Sequence, residues 1–452
     1  MEEINSKERG GRCVDISREN EDMISYLPDT LLSQVLSYLP TKEAVRTSVL
    51  STRWKSLWLF ISEIDLDTCQ FPDYNAFVIF MEKFLDFSRT RVEKPCFHKV
   101  KLSLRKNVND PPCVTRWIEL VATPELDHLD FECDPVLLRE CLEVMPPSLY
   151  TSCQKLLHLR LHRVFVGTLL ESVSLPCLKT MRLEYNTYAS EVSLELLISS
   201  CPVLEDFSFV RKLECGVNVL RVHSKTLTSL SIETGIHDSD FKYADWDDDC
   251  SVRVLINTPR LKYLNLDDFI SECKTISNLG SLTNVNLLSS LYTINSDDAV
   301  FNNISGVRDM SISSTNFTVI KNIKTLPQFC NLSCLKAELY FWDIDVLPMF
   351  LEICPNLRSL ILDLYPSSMR EQIRFTHVPQ CLLSSLEFVE IASTFRGLVE
   401  KELVRYFAEN SVVLKKLVLR LGSSMDEQDY VILRDLLLAL PTVSSACEIV
   451  VR

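Results

Sequence analysis

Between residues 26 and 58 apolar positions come densely and fall into three short runs. Leu31, Leu32, Val35, Leu36 and Leu39 follow helical spacing on one face. Pro28 suits the first position of that helix, because its missing N–H has no partner to lose there, and Pro40 ends it. Thr41 is placed to cap a second helix through Val45 and Val49. Ser51 is placed to cap a third, with the stripe Trp54, Leu57, Trp58 and Ile61. A module this small cannot bury two tryptophans and so many leucines by itself. Part of this surface therefore packs on the rest of the chain or on a partner. The pattern alone leaves two readings open: a helical cap on the downstream domain, or a docking module.

Past Ile64 the period changes. The template apolar-x-x-apolar-x-apolar starts at Phe97, Leu126, Leu156, Leu178, Leu204, Leu227, Leu261, Leu282, Val307, Leu332, Leu357, Leu386 and Leu414, with the copy at Leu332 degenerate. The mean period is about 26 residues, inside the range of leucine-rich repeats. The final apolar-x-apolar belongs to a short strand with one buried face. Stretches such as EVSLELLISS and DVLPMFLEI, between strands, read as helices. Pro124, Pro176, Pro202, Pro259 and Pro355 stand two residues before a first apolar position, where proline stops a preceding helix. A single repeat cannot close a core, but stacked copies bury a continuous one. The predicted fold is α/β: a three-helix module, then an irregular, curved leucine-rich-repeat solenoid with strands on the concave face. Its expected divisions are a flexible tail at 1–21, the module at 22–64, the solenoid at 65–375, a continuation at 376–425 and a cap at 426–452.

Composition narrows the function. The chain has 452 residues, 46% hydrophobic, and a net charge of −14. That balance argues against nucleic-acid and anionic-membrane partners. The first residues lack an apolar signal-peptide core, and no apolar run reaches the roughly 18 residues that span a bilayer, so an intracellular chain is expected. The 17 cysteines are then reduced thiols packed as small apolar groups. Cys153, Cys201 and Cys354 stand three residues before a first apolar position, which points to structure rather than to metal or redox work.

The run Leu27-Pro28-Asp29, Val35-Leu36, Leu39-Pro40, Val49-Leu50-Ser51 and Trp54-Lys55-Ser56-Leu57-Trp58 closely resembles an F-box. The resemblance implies docking on the Skp-type adaptor of a cullin-based ubiquitin ligase. Leu27, Pro28, Val35, Leu36, Leu39, Pro40, Leu50 and Trp54 would form the adaptor-facing patch. A second stretch is similar to the FBD region of plant F-box proteins. It includes Pro379, Cys381-Leu382, Ser385-Leu386, Val389-Glu390-Ile391, Gly397, Glu400, Tyr406-Phe407, Asn410 and Leu414-Lys415-Lys416-Leu417. It reads as a strand, a helix over 398–408 and another strand. Together these resemblances imply the non-catalytic substrate-recognition subunit of such a ligase, with a cullin reached through the adaptor and a protein substrate held by the repeats. Two rivals remain: a ligand-dependent sensor built on the same ligase, and a protein-binding scaffold outside any ligase.

Catalytic signatures are sparse. With nine glycines there is no GxGxxG or P-loop, and neither HExxH nor GxSxG occurs. No catalytic residue, metal or cofactor is expected. His158 and His162 are four apart but lie in or beside a strand, and HDSDFKYADWDDDC lacks the order and the glycine of a calcium loop. Specificity is sought on the concave row between the last two apolar positions of each template. There Arg160 and Arg182 come from neighbouring strands, about 5 Å apart. They can clamp a carboxylate or phosphate of a partner. Alternatively Asp130, Glu132 and Glu184 neutralise them as solvated surface.

Overall fold

The computed structural model describes residues 24, 26–89, 97–107, 109–110, 112–135, 142–170, 172–213, 215–235, 252–271, 273–289, 298–323, 325–365, 375, 377–393, 398–421 and 440–452. The expected tail at 1–21, the acidic loop at 237–250 and the helical part of the cap lie outside these residues.

Thirteen repeat templates become thirteen neighbouring strands. The sheet runs β1 (Glu63–Asp67), β2 (Lys99–Lys106), β3 (His128–Pro135), β4 (His158–His162), β5 (Thr180–Glu184), β6 (Asp206–Arg211), β7 (Ser229–Thr234), β8 (Tyr263–Asp267), β9 (Asn284–Leu287), β10 (Asp309–Ile312), β11 (Cys334–Tyr340), β12 (Ser359–Tyr365), β13 (Phe388–Ser393), β14 (Lys416–Leu421) and β15 (Glu448–Val451). Spatial order is sequence order, and the pairings are parallel. The templates supply β2 to β14; β15 is the strand expected within the cap. β1 is an addition: EIDLD alternates only twice, too short a pattern to stand out from its surroundings. All three apolar positions of every template are at most 5% exposed, the degenerate copy at Leu332 included. One continuous core results, from Leu32 in the N-terminal helices to Leu419 in β14.

The five template prolines do more than stop helices. Each is the second residue of a hydrogen-bonded turn closed by the template's first apolar N–H, as in Leu126 to Thr123 O at 3.1 Å and Leu357 to Cys354 O at 3.2 Å. Proline's fixed φ suits that position.

The layer behind the sheet departs from a regular helix-strand alternation. Helices are present where expected, at Glu191–Ser199 and Leu347–Glu352. At two places, however, strands replace them. Glu143–Met145, Val164–Val166 and Thr187–Tyr188 form one parallel sheet; Val219–His223, Arg253–Asn257 and Cys273–Ser277 form another. These segments are short and rich in β-branched residues, which favours a pleated surface over a helix. The chain reaches the first of these sheets through two left-handed corners, Arg163 and Tyr185, both at φ 54°. Asn186 secures the corner, accepting from Val164 N–H and donating to Leu161 O, both at 2.9 Å.

Candidate functional site: an exposed apolar face and a concave row

The N-terminal module consists of α1 (Asp29–Ser37), α2 (Thr41–Arg46) and two 3-10 segments, Thr47–Val49 and Trp54–Phe60. Pro28 occupies the N-cap of α1 rather than its first helical position, and Pro40, expected to end the first helix, also occupies the N-cap of α2. Thr41 is not a cap: its hydroxyl accepts from Asp65 N–H at 2.8 Å and so ties the module to β1. The third predicted helix is a 3-10 segment entered from Arg53 rather than capped by Ser51.

The five apolar residues predicted on one helical face do not share one: α1 carries four of them, and Leu39 lies past its end. Leu32 and Leu36 are buried, whereas Leu31, Val35 and Leu39 point outward. The opposite side of the module rests on α3 (Tyr74–Arg89): Leu57, Trp58 and Ile61 are buried, and the Trp58 ring lies 5.5 Å from Phe84. Lys42 bonds Gln70 O and sits 4.5 Å over the Phe71 ring. Arg53 holds α1 from behind through Asp29 Oδ1 at 2.9 Å and the Leu27 carbonyl. These contacts leave an outer band uncovered. Of the predicted patch, Pro28, Val35, Leu39, Pro40 and Leu50 are exposed, and Leu27 and Trp54 are half-buried against the core. Leu36 is the exception: at 1% exposure it is a core residue, because it lies one step round the helix from Val35. Beyond the predicted patch the module also exposes Ile24, Tyr26 (78%), Leu31, Tyr38 (88%), Val49 (86%) and Phe60. For Leu31 the signal is the doubled stripe of α1, wider than a single buried face requires; Tyr38 and Val49 lie outside that helix and have no such signal.

The concave row is a single register ladder. Lys101, Asp130, Arg160, Arg182, Ser208 and Ser231 pair strand to strand, and the ladder continues through Asn265, Asn286, Ser311, Lys336, Ile361, Glu390 and Val418. Arg160 and Arg182 are direct partners, as expected. Arg160 is already engaged, however. Nη1 donates to Asp130 at 3.0 Å and Glu132 at 2.9 Å, and Nη2 to Glu184 at 2.7 Å. The neutralising alternative therefore describes Arg160, and only Arg182 is exposed.

Metal-ligand residue types gather once among the described residues, at Glu132, Asp134 and His162. Arg160 bonds Glu132 there, and Arg163 Nε stands 3.8 Å from Asp134, so guanidinium groups already supply the counter-charge. His162 packs edge-on against Tyr185 at 5.4 Å, and burial pushes its pKa below the usual imidazole value. Cys201 and Cys354 donate to the carbonyls of Leu197 and Phe350, each at 3.2 Å. Burial pushes the thiols of Cys153 and Cys201 up to about 12, which leaves them protonated and unreactive. A depression of about 390 Å³ lies between Asn278–Leu282 and Asn302–Val307. Both segments precede their strands, so it sits at the entry edge and not on the concave row.

Family comparisons agree with this geometry. The F-box domain matches residues 24–61, and the FBD matches 374–419. The repeats of "FBD-associated F-box protein At5g56370, LRR repeats" match 114–284. Among Arabidopsis thaliana proteins, "Putative FBD-associated F-box protein At5g22720" is 51% identical, over 97% of this chain and 96% of its own length. "FBD-associated F-box protein At5g22730" is 52% identical, over 95% and 94%. The chain belongs to the F-box/FBD/leucine-rich-repeat family. Its exposed apolar band thus falls within the F-box, a domain that generally binds Skp adaptors, and F-box proteins in general are non-catalytic adaptor subunits. The FBD match covers β13, the helix Leu398–Asn410 and most of β14, so this region adds strands to the same sheet. Among the described residues, no helix is long and apolar enough to cross a membrane.

Proposed function

We propose that this chain is the substrate-recognition subunit of a Skp-cullin-F-box ubiquitin ligase, acting in the cytoplasm, the nucleus or both. One observation supports this reading: the outer F-box band stays uncovered while the opposite side of the module packs on α3. A scaffold that had lost its adaptor would have no reason to leave Leu31, Val35, Tyr38, Leu39, Val49 and Leu50 in water, where contiguous apolar patches mark interaction sites. The proposed adaptor patch is these six residues with Leu27, Pro28, Pro40 and Trp54. The repeats hold a target protein on the concave face, where Arg182 offers a contact to an acidic group. The subunit contributes proximity, and the ligase's other components perform the transfer.

The test is a pull-down with a plant Skp-type adaptor. Leu50 is 67% exposed, so Leu50→Asp leaves the fold intact and puts a charge on the proposed patch. If Leu50 is an anchor of the contact its loss is worth about 2 kcal/mol or more, roughly a thirtyfold loss of affinity. Undiminished binding by Leu50→Asp would remove the assigned patch. Absence of binding by the folded parent chain would remove the ligase reading itself.

A further inference from the structure

Along the concave face the charge balance changes. On β3 to β5 Arg160 compensates three carboxylates. On β7 to β12 the outward positions include Glu233, Asp267, Glu338 and Asp363, with Lys336 as the cation of the central ladder there. Lys336 lies 3.1 Å from Asp363, which Arg420 of β14 also approaches at 3.8 Å. Glu233 accepts from Ser231 and Asn265. Asp267 and Glu338 have no ion pair among the described residues. Burial raises the pKa of both; Glu233 adds to the effect on Asp267, while on Glu338 the Lys336 charge offsets part of it and Asp363 and Asp267 add to it.

Beside these carboxylates stands an aromatic platform. Tyr340 and Tyr365 are register partners at the ends of β11 and β12, with ring centroids 5.6 Å apart. Trp342 stacks on Tyr340 at 4.6 Å and 16°. Trp342 is 56% exposed and Tyr365 43%. Burial, then Glu338 and Asp363, raise the Tyr365 phenol pKa, so ring and carboxylates share one patch.

A π face next to unpaired carboxylates suits a cationic side chain, which stacks on the ring while the carboxylate matches its charge. An apolar occupant would desolvate Glu338 with only the charge of Lys336, already shared with Asp363, to offset the cost, and an acidic one would be repelled. We propose that Tyr340, Trp342, Tyr365, Glu338 and Asp267 form a docking site for an arginine- and lysine-rich extended segment of the target protein. This rests on the reading of the chain as a target receptor.

The probe is a fluorescein-labelled peptide of alternating glycine and arginine, titrated by anisotropy into the full chain bound to a Skp-type adaptor. The peptide is expected to bind, more weakly as salt rises, and the glycine-glutamate counterpart is not. Trp342→Ala retains every charge, so it separates this site from general attraction to an acidic protein; about tenfold weaker binding is expected. Glu338→Gln should weaken binding comparably and flatten the salt dependence, and Trp342→Phe should restore most of it. Equal affinity in Trp342→Ala and the parent, or no binding by the parent, overturns the proposal. Adaptor retention is scored in the same samples. Adaptor binding without Trp342-dependent peptide binding removes only this site, whereas the reverse pattern removes the ligase reading and leaves the site standing.

Discussion

Replacing Arg160 with methionine tests how the concave face is held together. The guanidinium makes four hydrogen bonds to three carboxylates: Asp130 at 3.0 Å, Glu132 at 2.9 Å, and Glu184 at 2.7 and 3.1 Å. The side chains involved are between 19% and 30% exposed. Methionine keeps the aliphatic stem and leaves the carboxylates facing one another across adjacent strands. An exposed ion pair is worth about 0–1 kcal/mol, and orphaning a fully buried partner costs about 3–5. With three partners and partial exposure, the expected loss at pH 7 is about 2–3 kcal/mol. Burial raises the Glu132 pKa, but the hydrogen bond and charge of Arg160 bring it below the usual carboxylate value. A depressed folded pKa gives stability that is present above the unfolded value, about 4.3, and lost as pH falls through the folded one. The penalty of Arg160→Met is therefore full at pH 7 and smaller at about pH 3, below the ordinary carboxylate range. Urea unfolding followed by circular dichroism at both pH values measures it. An equal penalty at both would refute the electrostatic account and assign the loss to packing.

Other perturbations separate structural from docking roles. Trp58→Ala removes the indole that packs on Phe84, so it should cost about 3–5 kcal/mol and lose adaptor binding together with stability; Leu50→Asp should lose binding alone. Lys106 and Glu143 are both buried and bonded to each other, so Lys106→Ala should cost about 3–5 kcal/mol, and adding Glu143→Leu should recover much of it in thermal unfolding. His162 has its pKa lowered by burial, so its contribution to stability should hold above about pH 6.5 and fall away as pH drops through the folded value; imidazole titration by NMR reads this. Iodoacetamide at pH 8 should alkylate exposed Cys330 fastest in the folded chain, exposed Cys69 more slowly because Asp67 raises its thiol pKa, and spare Cys153, Cys201, Cys354 and Cys381, as peptide mass spectrometry would report.

Much of the fold was legible because each repeat restates the same three buried positions. Even the degenerate Leu332 copy took its place, since Ala337 is small but still apolar. The outer layer was harder to read. Segments as short as Val164–Val166 contain too few positions to separate a 2.0 from a 3.6 period, and neighbouring short strands decided the outcome. α1 presented a different problem: both Leu32/Leu36 and Leu31/Val35 fit helical spacing, and only packing on the rest of the module determines which stripe turns inward. The pairing of Arg160 with Arg182 followed from template alignment, but the engagement of Arg160 depended on rotamers. The platform of Tyr340 and Tyr365 left a trace that went unread. Each stands three residues after the last apolar position of its template, so the repeat already aligned them.

Hydrogen exchange of the full chain with and without a Skp-type adaptor tests the central claim most directly. Slowed exchange confined to residues 26–60, with the concave strands unchanged, is the predicted result, because the adaptor covers the outer F-box band and leaves the target face open. Protection on the concave strands, or none in the F-box at saturating adaptor, would contradict it.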